Sequence, residues 1–332
     1  NESGGIGPDG LQIDLLIKDD AYVATQTQEL VAELLQSVDP FYIFTLGSPN
    51  TFAVQGTMNE NCVPQPMSQT GHQAWGDPDN NPWTTGLQLS YATESLLWGS
   101  WIEDNLPAGT KVAALVMDND FGLAYEQGFE RFAEESDHIG EVTFVRHDPA
   151  AATLTNEMTT LAASGPDVFI AMTAGNPCLL AVEEAARTGI KDIALTFMPS
   201  VCKAVSSYMA PAGEAAADWY IFGGGWKDST DPQYESDTYI SWMNSQIEDA
   251  GLDNAVSLYA SGYGQFGWPA AQTLMIAAEL DGGLTRTNYM IALRSLRMEH
   301  PALLEGIGFG MRIDVVTVSG VDHVAVSEIQ PG

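Results

Sequence analysis

Val112-Ala113-Ala114-Leu115-Val116-Met117 runs without a break into Asp118-Asn119-Asp120-Phe121-Gly122, and an amphipathic helical pattern begins at once. The same punctuation recurs where Phe41-Tyr42-Ile43-Phe44-Thr45-Leu46 meets Gly47-Ser48-Pro49-Asn50-Thr51. It recurs again where Val168-Phe169-Ile170-Ala171-Met172 meets Thr173-Ala174-Gly175-Asn176-Pro177. Short continuous apolar runs that alternate with helical periodicity mark parallel strands buried on both faces. Ligands of such sheets bind at the carboxyl ends of the strands, so functional residues are sought in those loops.

Working outward, Leu11 to Ile17 reads as a strand, followed by a helix with Leu30, Val31, Leu34, Leu35 and Val38 on one stripe. Strand 41–46, helix 50–59 and strand 63–67 follow, and the Pro-flanked polar cluster 77–82 reads as an irregular loop. Helix 91–105, with Leu96, Leu97, Trp101 and Ile102 inward, leads into strand 111–117. The alternation continues through strand 141–146, helix 154–164, strand 167–172, helix 177–188, and strands 192–198 and 218–222. Gly223-Gly224-Gly225-Trp226 interrupts it. Stretches 232–250, 257–280 and 285–297 read as helices, and 307–329 alternates as strands. Breaks near Thr84-Thr85-Gly86 and 223–225 divide an α/β chain into two doubly wound, Rossmann-like lobes.

The 332 residues carry 12 Lys and Arg against 44 Asp and Glu, a formal charge of −32, which repels phosphate backbones and anionic lipid surfaces. Nucleic acid is therefore excluded as a partner, and a lysine-poor acidic surface suits a salty medium that screens self-repulsion. No run approaches the roughly 18 apolar residues of a membrane span. No leader is visible, and Asn1 to Gly10 reads as the end of a helix and a turn, so a preceding strand and helix are expected upstream. Of the three cysteines, Cys178 opens a helix and Cys202 follows a neighbouring strand. They form either a disulfide, which would indicate an oxidising compartment, or two buried thiols. Cys62 is expected free and buried. Cys and His spacing offers no metal site, and no cofactor is expected.

Gly262-Tyr263-Gly264-Gln265-Phe266-Gly267 matches G-x-G-x-x-G, but it lacks a preceding strand and the acidic residue of a dinucleotide fold, so close helix packing is the better reading. Walker A, G-x-S-x-G and H-E-x-x-H motifs are absent, and His72, His138, His147, His300 and His323 are dispersed. The chain therefore reads as a binding protein rather than an enzyme. Ser48 stands at a helix start, where backbone N–H groups and the helix dipole favour an anion. Ser68, Gln69, Thr70 and His72 end the next strand. Together they form either a carboxylate cradle or ordinary helix caps. Trp75, Trp83, Phe121 and Trp226 lie near the same ends as aromatic walls or as core.

Several motifs, in order along the chain, resemble the extracytoplasmic substrate-binding proteins of ABC importers, in the Leu/Ile/Val-binding class. They are Asn1-Glu2-Ser3-Gly4-Gly5-Ile6-Gly7, Asp19-Asp20-Ala21-Tyr22, Gly47-Ser48-Pro49, Val63-Pro64-Gln65, Thr70-Gly71 with Trp75-Gly76-Asp77-Pro78, Pro82-Trp83-Thr84-Thr85-Gly86, and Asn119-Asp120-Phe121-Gly122. The likeness weakens beyond about residue 312. It implies the type I periplasmic binding fold, with three crossovers, a hinged cleft closing on a small ligand, and a membrane permease as partner. It also implies a monomer outside the cytoplasm, periplasmic or extracellular, with or without a lipid anchor. The expected division is 1–87 and 228–305 as lobe 1, and 88–227 and 306–332 as lobe 2.

Carried over by position, Ser48, Ser68 and Thr70 match the residues that hold a ligand carboxylate, and Phe121 matches an aromatic lining the cleft. Pro49, Asn50, Gln69, His72, Trp75, Gly175, Asn176, Ser200 and Trp226 complete the expected ligand set. Amino-acid binders of this class place an acid where this chain has Pro199-Ser200-Val201, and a tyrosine where it has Ala174-Gly175-Asn176. Burying an unpaired ammonium costs several kcal/mol. The expected ligand is therefore a small organic carboxylate, aromatic or branched, without an α-amino group. The alternatives are a branched-chain amino acid or amide, or a ligand domain reporting to a receptor. Asp118 and Asp120 read as caps of the helix that follows them.

Overall fold

The computed structural model describes residues 4–221, 225–252, 267–305, 307–310, 314–318, 321–325 and 328–331. The G-x-G-x-x-G stretch, apart from Gly267, and residues 257–266 of the expected helix lie outside the described residues. The chain forms two compact units: Asn1–Ser90 with Gln265–His300 and Gly306–Gly332, and Tyr91–Gly264 with Pro301–Glu305.

In the second unit the buried runs form a five-stranded parallel sheet of order β4-β3-β5-β6-β7. Its strands are β3 (Thr110–Met117), β4 (Ile139–His147), β5 (Val168–Met172), β6 (Leu195–Met198) and β7 (Tyr220–Ile221). In β3 only Lys111 is exposed, and every residue of β5 is buried, as the unbroken apolar runs require. Val112 to Val116 pair in register with Val168 to Met172. Helices α3 (Tyr91–Asn105), α4 (Asp120–Glu135), α5 (Thr155–Ala163) and α6 (Asn176–Arg187) join and cover the strands. In α3 the inward stripe is Tyr91, Glu94, Ser95, Trp98 and Ile102, with Leu96. Leu97 is exposed and Trp101 half-buried, a rotation of the stripe from the expected one. Short helices α7 (Ile190–Ile193), α8 (Ala210–Ala212) and α9 (Thr238–Asp249) complete this unit.

In the first unit, α1 (Ala24–Ser37) packs on α2 (Ser48–Glu60) over Val31, Val54, Met58 and Val63. Strands β1 (Gln65–Ser68) and β2 (Thr84–Gly86) pair in parallel. The expected strand 41–46 is reduced to a single parallel bridge, Leu46 to Gln69, flanked by bonds from Ile43 N to Pro64 O and from Gln69 N to Thr45 O. Leu11 to Ile17 forms no strand. Leu11 forms an isolated antiparallel bridge with Ile6, and Leu15, Leu16 and Ile17 are exposed. An apolar run becomes a strand only when a neighbour accepts its backbone hydrogen bonds.

Helices α10 (Gly267–Glu279) and α11 (Arg286–Arg294) pack together. Strand β8 (Arg297–Met298) leads to an antiparallel sheet of order β12-β9-β8, from β9 (Ile307–Gly310) and β12 (Glu328–Pro331). Between them β10 (Asp314–Val318) and β11 (Val321–Ala325) form a hairpin. This pairing of β9 with β8 groups 306–332 with 265–300, whereas the sequence division gave the tail to lobe 2 and all of 228–305 to lobe 1.

Cys178 and Cys202 are disulfide-bonded, with Cα atoms 5.7 Å apart, joining the first turn of α6 to the segment after β6. Cys62 is free but exposed, contrary to expectation. It follows the C-cap of α2 in a tight turn at φ 52°, and Val63 takes the core position instead. No helix among the described residues is long and apolar enough to cross a membrane.

Candidate functional site

Each unit carries a cluster of the expected ligand residues. In the first, α2 begins after Gly47, which adopts φ 89° and has no side chain to cap the helix. Ser48 is therefore released from capping, and its Oγ lies 2.7 Å from Thr70 Oγ1, with both side chains fully buried. Thr70 Oγ1 also accepts from Trp75 Nε1 and from the His72 backbone N–H, each at 3.3 Å. The N-cap of α2 is thus Gly47 rather than Ser48, while Thr70 Oγ1 accepts a backbone N–H just before the 3-10 turn at Gln73–Gly76. Helix geometry leaves first-turn N–H groups without intrahelical acceptors, Pro49 removes one of them, and the positive end of the dipole faces the same place.

His72 Nδ1 accepts from Ala74 N–H at 3.1 Å, which places the imidazole proton on Nε2. Burial lowers its pKa to about 4, so the ring is neutral at ordinary pH. It meets Phe52 edge-on at 4.7 Å, and Phe52 in turn packs on Trp75. Trp75, 2% exposed, supports Thr70 from below rather than forming an open wall.

Ser68 belongs to a second hydroxyl cluster. Its Oγ meets Thr45 Oγ1, which also meets Thr51 Oγ1, both at 3.0 Å, and Gln65 Nε2 donates to Thr45 Oγ1. Gln69 is buried and bridges to the 45–47 segment through its backbone. Asn50 turns elsewhere, donating from Nδ2 to Asp20 Oδ2 and Thr27 Oγ1, both at 2.9 Å. Tyr22 was not among the expected site residues. Its ring stands so close to Gly47, beside the start of α2, that a Cβ there would clash with it. The signal was present in the Asp19-Asp20-Ala21-Tyr22 motif.

In the second unit the sheet order changes direction between β3 and β5, and a doubly wound sheet binds ligands outside such a switch point. The loops there are 118–121 and 173–176. Asn119, not Asp118 or Asp120, caps α4, accepting from Phe121 N and Gly122 N. Asp118 instead pairs with Arg146 at 3.8 Å. Gly175, at φ 66°, precedes α6, and Asn176 opens it exposed to solvent. Phe121 is buried against Tyr91 at 4.9 Å and Tyr125 at 5.3 Å. Trp226 is buried and pairs its backbone with Leu303.

A second residue that sequence reasoning missed is Glu94. It is 1% exposed on the inward stripe of α3, and its Oε1 accepts the Ser200 backbone N–H at 2.6 Å. Oε2 accepts Tyr125 Oη at 2.7 Å and Ser200 Oγ at 3.1 Å. Burial raises its pKa to about 7, against the lowering effect of these donors and of Lys203. Lys203, also buried, donates to Trp226 O, and burial lowers its pKa to about 8 against the fields of Asp228 and Glu94. An acid on an otherwise apolar helical stripe was the available signal. Among the described residues, no group of three or more His, Cys, Asp and Glu is placed to hold a metal ion.

A family model described as periplasmic binding protein matches residues 1–317. The structure is similar to the fatty acid ABC transporter substrate-binding protein from Thermomonospora curvata, with TM-score 0.73 and 16% identity over 99% of this chain and 84% of that one. It is similar to a solute-binding protein of an ABC transporter from Rhodopseudomonas palustris BisB5 in complex with 3,4-dihydroxybenzoic acid. There the TM-score is 0.70, with 15% identity over 99% and 88%. A branched-chain amino acid ABC transporter protein from Thermus thermophilus with bound valine gives 0.71, with 16% identity over 90% and 75%. No curated protein matches. At these identities the likeness is one of fold, α/β of the type I periplasmic binding class.

Proposed function

Since the chain belongs to the periplasmic binding protein family, we propose that it captures a small organic carboxylate lacking an α-amino group and delivers it to the permease of an ABC importer. The observation that carries this reading is the Ser48–Thr70 hydroxyl pair, 2.7 Å apart at the start of α2, with a neutral His72 two residues on. Hydroxyls, backbone N–H groups and a helix dipole bind an anion without a partner cation. In the second unit the acid beside Ser200 is Glu94. Its oxygens are engaged by Tyr125 and Ser200, and Lys203 already lies in its field. That arrangement favours a ligand that brings no ammonium. The structural neighbours with dihydroxybenzoate and with valine frame the choice between acid and amino acid.

The protein acts without catalysis, as a monomer outside the cytoplasm. The disulfide is consistent with an oxidising compartment, and the charge of −32 speaks against nucleic acid. A thermal-shift screen followed by calorimetry tests the reading with benzoate, 4-hydroxybenzoate, 4-methyl-2-oxopentanoate, valine and leucine. A ligand at 100 times its dissociation constant stabilises the protein by about 2.7 kcal/mol. The acids are expected to bind more tightly than the amino acids of matching side chain. Leucine binding at least tenfold more tightly than its keto analogue would overturn the ligand class and favour branched-chain amino acid transport.

A further inference from the structure

We propose that Glu94 is a positioning residue for ligand capture, which in its ionised form holds the Ser200 turn in the binding conformation, so that affinity weakens as the medium becomes mildly acidic. This rests on the reading above that Ser200 faces the ligand. Three groups converge on its two oxygens: the Ser200 N–H, which can only donate, on Oε1, and the Tyr125 and Ser200 hydroxyls on Oε2. An ionised carboxylate accepts from all three in charge-assisted bonds, whereas the protonated group donates to one hydroxyl, which must turn its own proton away, and offers the Ser200 N–H a weaker, neutral acceptor. With Glu94 1% exposed, bulk solvent does not reach the carboxyl to take up the displaced bond. Of the three, the contact free to yield is Ser200, which is half-buried in a 3-10 turn, while Tyr125 is locked between Tyr91 at 4.5 Å and Trp98 at 5.2 Å.

The groups in the field of Glu94 are Tyr125 on α4 and Lys203 after β6, with Tyr91 beside Tyr125 and Asp228 beyond Lys203. Tyr125 is pushed well above its ordinary range by burial and by Glu94, and stays protonated throughout. Lys203, lowered to about 8, carries its charge where Glu94 titrates. Between pH 6 and 7.5 Lys203 keeps most of its charge, and Glu94, raised to about 7 by burial, is the group of this cluster that changes state. If only the ionised form is competent, its fraction falls about eightfold from pH 7.5 to pH 6 and the apparent affinity falls with it.

The test is calorimetry from pH 6 to 7.5 with benzoate and 4-methyl-2-oxopentanoate, both ionised throughout. The wild type is expected to bind about eightfold more weakly at pH 6 than at pH 7.5. Glu94→Gln is expected to bind weakly with no pH slope. A flat wild-type profile, or the same slope in the variant, overturns the proposal. The second measurement needs no ligand and no variant: the hydrogen-exchange protection factor of the Ser200 amide in the wild-type protein. It is expected to drop between pH 8 and pH 6, and constant protection overturns the proposal. If neither probe binds at any pH, the ligand reading fails by itself, and exchange at Ser200 still decides the role of Glu94.

Discussion

Thr70→Val deletes one oxygen and keeps the shape of the side chain, so its effects report on that oxygen alone. Thr70 Oγ1 accepts from Trp75 Nε1 and His72 N–H and shares a proton with Ser48 Oγ. The valine strands the indole N–H of a side chain that is 2% exposed. A buried donor left without a partner costs about 1–3 kcal/mol, and both N–H contacts are long at 3.3 Å. The total expected is about 2–3 kcal/mol of folding stability. Ser48→Ala leaves Thr70 with both N–H donors and should cost only about 0.5–1.5 kcal/mol. In both variants carboxylate affinity is expected to drop by about 1.5–3 kcal/mol, roughly tenfold to a hundredfold. Urea titration of the ligand-free protein measures the first quantity, and calorimetry with the tightest carboxylate of the screen measures the second. Wild-type stability together with wild-type affinity in Thr70→Val would refute both the role of Thr70 as a hydrogen-bond hub and its place in the cradle.

Three further outcomes are expected. Alkylation under denaturing, non-reducing conditions should modify one thiol, Cys62, and reduction should lower stability by about 3–4 kcal/mol for a bridge spanning 24 residues; three modified thiols would disprove the bridge. Glu94 has a folded pKa of about 7 against an ordinary 4.5, so its contribution is full below about pH 4.5 and is lost as pH rises through 7. The wild type should accordingly lose up to about 3 kcal/mol more than Glu94→Gln between pH 4.5 and pH 8 in paired urea titrations, and parallel curves would show that Glu94 does not titrate there. With a charge of −32 the protein should melt at a higher temperature in 1 M than in 0.05 M potassium chloride, and a flat response would show that self-repulsion does not limit its stability.

The runs Val112 to Met117 and Val168 to Met172 announced strands buried on both faces, and the loops after them announced where chemistry would gather. Burial on both faces is a property of a segment, and it is written in consecutive residues. The placing of Ser48 at a helix start was legible for the same reason, since a glycine and a proline beside it act on the local backbone. Its pairing with Thr70 was left open between cradle and cap, because that depends on two segments meeting. Leu11 to Ile17 shows the limit from the other side: an apolar pattern states what a segment can do, while a strand also needs a partner edge. Glu94 was overlooked because its meaning lies 106 residues away, in the backbone and hydroxyl of Ser200. A hydrogen bond of a few ångströms between distant positions leaves no periodic trace in the chain, so only the tertiary structure could bring this acid to the place where the sequence alone showed a serine.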